Sequence, residues 1–202
     1  MKRIISMLLI LTALLSVISI NSSADTAHTV VRGDTMWLIA VKHEVGISEL
    51  ISANPHIKNP DLIYPGQVIN IPTLAQSVLA YEAEVVRLVN DIRKANGLKE
   101  LVQDWELSRV ARYKSQDMSD GGYLSHQSPT YGSPFAMMKN FGISYRSAGE
   151  NIARGYTTPA AVVNGWMNSS GHRANILNPN FTHIGVGYVS SGSYWTQMFI
   201  LK

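Results

Sequence analysis

Chemistry in this chain has to come from imidazoles, carboxylates and hydroxyls, because its 202 residues include no cysteine and therefore no thiol nucleophile, thiolate zinc site or disulfide. Two of the six histidines sit among small polar residues, His126 in Leu-Ser-His-Gln-Ser (124–128) and His172 after Ser169-Ser170-Gly171. A serine nucleophile needs a histidine within hydrogen-bond reach and a third group to orient that ring. Ser125 is poorly placed for this, since successive side chains of an extended segment point to opposite faces. Ser128, Ser169 and Ser170 remain open. His28, His43, His56 and His183 show no metal-ligand spacing with one another and read as surface or core histidines.

The elements that must position these groups fall into two sets. Between 28 and 72 turn signals are dense: Gly33-Asp34, Asn54-Pro55, Asn59-Pro60-Asp61 and Tyr64-Pro65-Gly66. Thr29-Val30-Val31 reads as a strand. Asp34 or Thr35 caps a helix whose apolar face includes a buried Trp37, Ser48 caps a second helix, and Val68–Ile71 alternates as a closing strand. After a polar joint at 74–78, apolar residues at helical spacing from Tyr81 to Ile92 predict a helix ended by Asn96-Gly97. Asp104 opens another helix, closed by Gly121-Gly122. Shorter helices are expected from Pro134 to Gly142 and after Thr158-Pro159, and residues 184–188 and 194–201 alternate as a hairpin. Helices first and strands last imply an α+β layered domain.

The stretch "HTVVRGDTMWLIAVKHEVGISELISANPHIKNPDLIYPGQVINIP" resembles a LysM module over its full length, with Val30–Ala40 and Pro65–Pro72 matching the opening and closing patterns of that family. The resemblance implies a small βααβ module at 28–73 that binds N-acetylglucosamine chains of peptidoglycan between two loops. Its contacts would come from Gly33, Asp34, Thr35 and Met36 on one side and Asn59, Asp61, Leu62 and Ile63 on the other. Backbone amides would meet the acetamido group, and Met36, Leu62 and Ile63 would floor the sugar.

Three further texts, "LSHQS", "AGENIA" (148–153) and "GWMNSSGHRANILNPNFTHIGVG" (165–187), together resemble the CAP superfamily, of SCP/PR-1-like domains, across 79–202. That likeness implies an αβα sandwich and a cleft formed by His126, Glu150, Asn168 and His172. Asn168 stands where the family carries a second acid, and an amide cannot carry the proton that paired-carboxylate hydrolysis needs. His126 and His172 are candidate zinc ligands, with Glu150 orienting a ring or adding an oxygen. The likeness favours a ligand-, metal- or protein-binding domain over a metal-assisted or serine-type hydrolase, and leaves a small ligand or a wall or spore protein as further partners.

Residues 1–24 read as a secretory leader: Lys2 and Arg3, an apolar run to Ile20, and small residues ending at Ala24. Only an uncleaved leader would engage a membrane. The expected location is therefore outside the cytoplasm, on a cell wall or spore envelope. Two of the three net positive charges belong to that leader, so the remainder carries no nucleic-acid signature.

Overall fold

The computed structural model describes residues 26–202, so the expected leader lies outside the described residues. The first module is strand, helix, helix, strand: β1 (Thr26–Thr29), α1 (Met36–Lys42), α2 (Ile47–Ser52) and β2 (Val68–Ile71). The strands pair antiparallel, Thr26 opposite Ile71 and Thr29 opposite Val68. Thr35 caps α1 by accepting a hydrogen bond from the Leu38 amide, 3.1 Å. Two expectations fail here. β1 ends at Thr29 rather than running to Val31, and α2 is preceded by Gly46 with no side-chain cap, so Ser48 lies inside the helix.

The buried stripe of α1 is Met36, Ile39 and Ala40, packed with Val30, Leu50, Ile69 and Ile71. Positions i, i+3 and i+4 share one helical face, which turns Trp37 outward; it is 62% exposed, the reverse of the expected burial. The same geometry removes Met36 from the list of sugar contacts, because it is 4% exposed and belongs to the core. Buried Asn54 ties α2 to β2, accepting from the Asn70 amide and donating to the Leu50 and Asn70 carbonyls, all at 2.8 Å.

The second part contains α3 (Gln76–Ala95), β3 (Val102–Gln103), α4 (Trp105–Gly121), α5 (Pro134–Asn140), β4 (Ser147–Arg154), α6 (Pro159–Met167), α7 (Ser170–Ile176), β5 (His183–Val189) and β6 (Tyr194–Leu201). Its sheet has the order β3-β5-β6-β4, parallel at β3/β5 and antiparallel elsewhere. Helices cover both faces. Val85, Val89, Val162, Trp166 and Ile176 pack with Ile184, Val186, Trp195 and Phe199 on one side, while Leu107, Val110, Ala111, Met137 and Met138 pack with Met198 and Ile200 on the other. This is an α+β fold with an αβα sandwich.

Asp104 and Thr158 cap α4 and α6 as their types demand, accepting from the Leu107 and Ala161 amides. Unlike the expected order of helices then strands, β4 comes between helices, and a further short helix, α7, begins at Ser170. α4 lies very close to β5. A Cβ on Gly185 would sit 2.3 Å from the Leu107 carbonyl carbon, and one on Gly187 2.2 Å from the Ala111 carbonyl carbon, so only glycine permits this approach.

Candidate functional site

Strand β4 is an edge strand, and its alternation sends neighbouring side chains to opposite faces. Glu150 faces the α4 side, where its carboxylate meets His126 Nδ1 at 2.6 Å; Asn151 faces the α7 side. Glu150 is nearly enclosed, its side chain 2% exposed against 55% for His126. The hydrogen bond from Glu150 raises the His126 imidazole above its ordinary proton affinity, against the opposing effects of burial and the Lys114 charge. The second carboxylate oxygen, Oε2, is buried without a hydrogen-bond partner.

His126 lies in the loop after α4, and α4 holds that loop at two points. Lys114, fully buried, donates from Nζ to the His126 carbonyl at 3.2 Å and lies against the Tyr123 ring. Its amine is lowered by burial, with Glu150 and Asp117 partly restoring its charge. Asp117 accepts from Ser128 Oγ at 2.7 Å, Thr130 Oγ1 at 2.6 Å and the Tyr123 hydroxyl. Burial opposes charge on Asp117, but these donors win and hold its carboxyl below the usual range, while the Tyr123 hydroxyl is pushed up to about 12.

The other wall is α7. Asn175 donates to the Glu150 carbonyl at 3.1 Å and to Asn151 Oδ1 at 2.9 Å, while Asn151 Nδ2 donates to the His172 carbonyl at 3.1 Å and to Gln197 Oε1 at 3.0 Å. Gly149 leaves room for this lattice, since a Cβ there would meet Asn175 Oδ1 at 2.9 Å. His172 is lowered by partial burial, chiefly, and by the His126 charge.

Of the four residues expected in the cleft, His126 and Glu150 are in contact, while His172 is tied to β4 through its main-chain carbonyl, which accepts from Asn151. Asn168 does not join them through any hydrogen bond: it is the exposed C-cap of α6 and its amide reaches only Asn164, 3.4 Å away. Lys114, Asn151, Asn175 and Gln197 are the supporting residues that sequence reasoning missed. A lysine within an amphipathic helix carries no signal of burial, and an isolated amide gives no sign of a partner far along the chain.

The open serine candidates resolve differently. Ser128 is 3% exposed and its hydroxyl is committed to Asp117 and to the Thr130 and Tyr131 amides. Ser125 Oγ accepts from the Gln127 amide. Among the described residues no serine hydroxyl is hydrogen-bonded to His126 or His172, so no nucleophile-base pair is assembled. Nor is any group of three or more His, Asp or Glu side chains among them arranged to hold a metal ion. The donor set that remains, two imidazoles with Glu150 already spent on one ring, does not make the three-ligand set of a catalytic zinc.

In the first module, Asp34 has a role its turn position did not suggest. Its Oδ2 accepts from the Val31 amide at 2.9 Å and pairs with His28 Nε2 at 2.8 Å, and His28 Nδ1 lies 3.1 Å from His43 Nε2. The His28 hydrogen bond, chiefly, holds the Asp34 carboxyl below its ordinary value. Gly33, at φ +97°, makes the turn this contact closes. In the facing loop Asn59 Oδ1 accepts from the Asp61 amide at 3.1 Å, Leu62 is 51% exposed, and Ile63 packs on the module core. Gly33, Asp34, Thr35, Asn59, Asp61 and Leu62 thus line two loops at the same end of the module.

The αβα sandwich is that of a CAP-type domain, and the small βααβ unit before it is that of a LysM domain. The chain belongs to the CAP (cysteine-rich secretory protein) family, whose model matches residues 86–200, and the LysM model matches residues 28–72. It is 68% identical over 126 residues to YkwD of Bacillus subtilis (strain 168), covering 62% of this chain and 49% of that one. A crystal structure of an extracellular SCP-domain protein from Bacillus anthracis str. Ames matches with a TM-score of 0.60 at 35% identity, over 68% of this chain and 47% of the other. Across 70 residues the chain is 36% identical to N-acetylmuramoyl-L-alanine amidase sle1 of Staphylococcus epidermidis, covering 35% of this chain and 21% of that enzyme. The chain spans about half the length of the relatives matched through its CAP domain.

Proposed function

We propose that this is an exported wall protein whose LysM domain grips peptidoglycan glycan and whose CAP domain presents the His126/Glu150/His172 cleft to a polar ligand or a wall protein. The observation that carries the reading is a LysM module with both loops open to solvent, joined by a short connection to a cleft that lacks the second carboxylate of a hydrolase. Kinship of part of the chain with a wall amidase supports the glycan half, and likeness to an extracellular SCP-domain protein supports the location. Among the described residues no helix is long and apolar enough to cross a membrane. A spore envelope is one wall in which such a protein would serve.

The cleft favours binding over turnover on chemical grounds. Glu150 fixes the ring of His126 through Nδ1 and leaves Nε2 as the atom turned to a ligand. This suits a polar ligand that hydrogen-bonds to an imidazole. Retention on purified peptidoglycan tests the glycan half: the full chain is expected to be retained, and a variant beginning at Ala75 to be washed off. Equal retention of the two would refute it.

A further inference from the structure

The contact between the two domains centres on Arg109 of α4. Arg109 grips Glu49 of α2 bidentately, Nε to Oε1 at 2.6 Å and Nη2 to Oε2 at 2.8 Å, and Nη2 also donates to Ser48 Oγ at 3.1 Å. The guanidinium lies over two rings of the CAP domain, 5.4 Å from Tyr113 and 5.3 Å from Phe141, so it is already aimed before the carboxylate arrives. Both partners are mostly covered, with side chains 20% and 28% exposed. Partial burial opposes charge on Glu49, yet Arg109 and Ser48 pull its carboxyl down to about 2.

Gly46 leaves the room that this ion pair occupies. It precedes α2 at φ −72°, a conformation open to any residue, yet a Cβ there would lie 2.1 Å from Arg109 Nε. Its small size therefore serves the passage of the arginine and not the turn. Around the pair a cavity of about 440 Å³ is lined from both sides, by Val45, Pro72 and Leu74 on the LysM side and Val78, Tyr113 and Val189 on the other.

The topology then decides what this contact leaves free. The LysM surface it uses is the α1–α2 turn and the start of α2. The loops holding Gly33–Thr35 and Asn59–Leu62 lie at the opposite ends of those two helices, one before α1 and the other after α2.

We infer that the Arg109/Tyr113/Phe141 face of the CAP domain is a docking surface for the LysM domain, which is thereby held as a fixed arm with its glycan loops pointing away. Resting on the glycan-binding reading, this means that a gripped strand and the cleft keep one separation and orientation, instead of the cleft swinging on a linker.

Backbone ¹⁵N relaxation of the full chain tests it. The wild type should give one tumbling time for residues 28–72 and 79–202, whereas R109A and G46V should both give shorter times for the LysM residues, with native amide dispersion retained in each domain. Two separate times in the wild type, or a single unchanged time in both variants, would overturn the docking. E49Q, which leaves the CAP domain untouched, should act like R109A. Loss of peptidoglycan retention by a wild type that tumbles as one body would overturn the glycan reading alone.

Discussion

Replacing Gly187 with alanine opposes two effects whose signs differ, which makes it the sharpest test of how α4 is seated. Backbone propensity alone favours the change, since glycine within a strand weakens it by roughly 0.5–1 kcal/mol relative to alanine. Packing opposes it. The new methyl would lie 2.2 Å from the Ala111 carbonyl carbon and the Arg112 amide nitrogen, both of them main chain. Ordinary carbon contact needs about 3.5–4.0 Å, so the helix must withdraw by roughly 1.5 Å. Such overpacking costs about 1–3 kcal/mol or more. Withdrawal also stretches the hydrogen bonds of Ser115 Oγ to the Gly187 carbonyl and to Thr196, now 3.0 and 2.9 Å. The net loss of ~1–2 kcal/mol corresponds to a fall in Tm of about 4–10 °C for a domain of this size. Differential scanning calorimetry measures it, with Gly171→Ala in α7, where a Cβ meets nothing within 4 Å and helix propensity favours alanine, as the control expected to stay level or rise. A Gly187→Ala protein that melts at or above the parent temperature would show that the close approach does not limit stability.

Two further outcomes concern protons. In the parent, NMR should place the titration of His126 above 6.5 and that of His172 below it, and Glu150→Gln should bring His126 down because the hydrogen bond to a charged acceptor is lost. A group whose folded value is raised stabilises the fold below its unfolded pKa and ceases to do so as pH climbs through the folded value, so that stability change should vanish in the variant; an unmoved His126 titration would remove Glu150 as its cause. His43 behaves in the opposite sense: burial, the His28 charge and Lys42 lower it from 6.5, so its contribution is complete above 6.5 and erodes as pH falls toward the folded value. Denaturant midpoints of the parent should therefore drop through that mildly acid window more than those of His43→Gln, and parallel curves would refute this.

Much of the scaffold is legible from local chemistry. Thr35, Asp104 and Thr158-Pro159 each announce a helix start because a short polar side chain can take up an otherwise orphan amide, and all three do so. Trp37 was misread because Trp37, Leu38 and Val41 also fall at helical spacing beside Met36, Ile39 and Ala40, so two apolar faces compete; the closing strand's Ile69 and Ile71 choose between them. β4 was illegible for a different reason. Its central residues, Gly149 to Ala153, are all buried, so no alternation of polar and apolar types survives, and its polar members Glu150 and Asn151 find partners far along the chain, Glu150 through one oxygen only. The position of Asn168 could not be read at all, since a motif match says nothing about which way a helix C-cap points.

The cleft consequently depends on polar anchors more than on its own visible residues. Arg93, fully buried in α3, donates to the carbonyls of Lys99, Ile176 and Asn178 at 2.7–2.9 Å and to that of Phe181 at 3.5 Å. It thereby fixes the C-terminal end of α7, while Asn175 and Asn151 fasten the body of that helix to β4. On the opposite side Lys114 and Asp117 fasten the His126 loop to α4. Each wall is thus held by hydrogen bonds to main-chain carbonyls as well as to side chains, and His126 meets Glu150 directly. Because β4 is the edge of the sheet, that contact opens to solvent on its free side. The burial of Glu150 and the exposure of His126 then follow together.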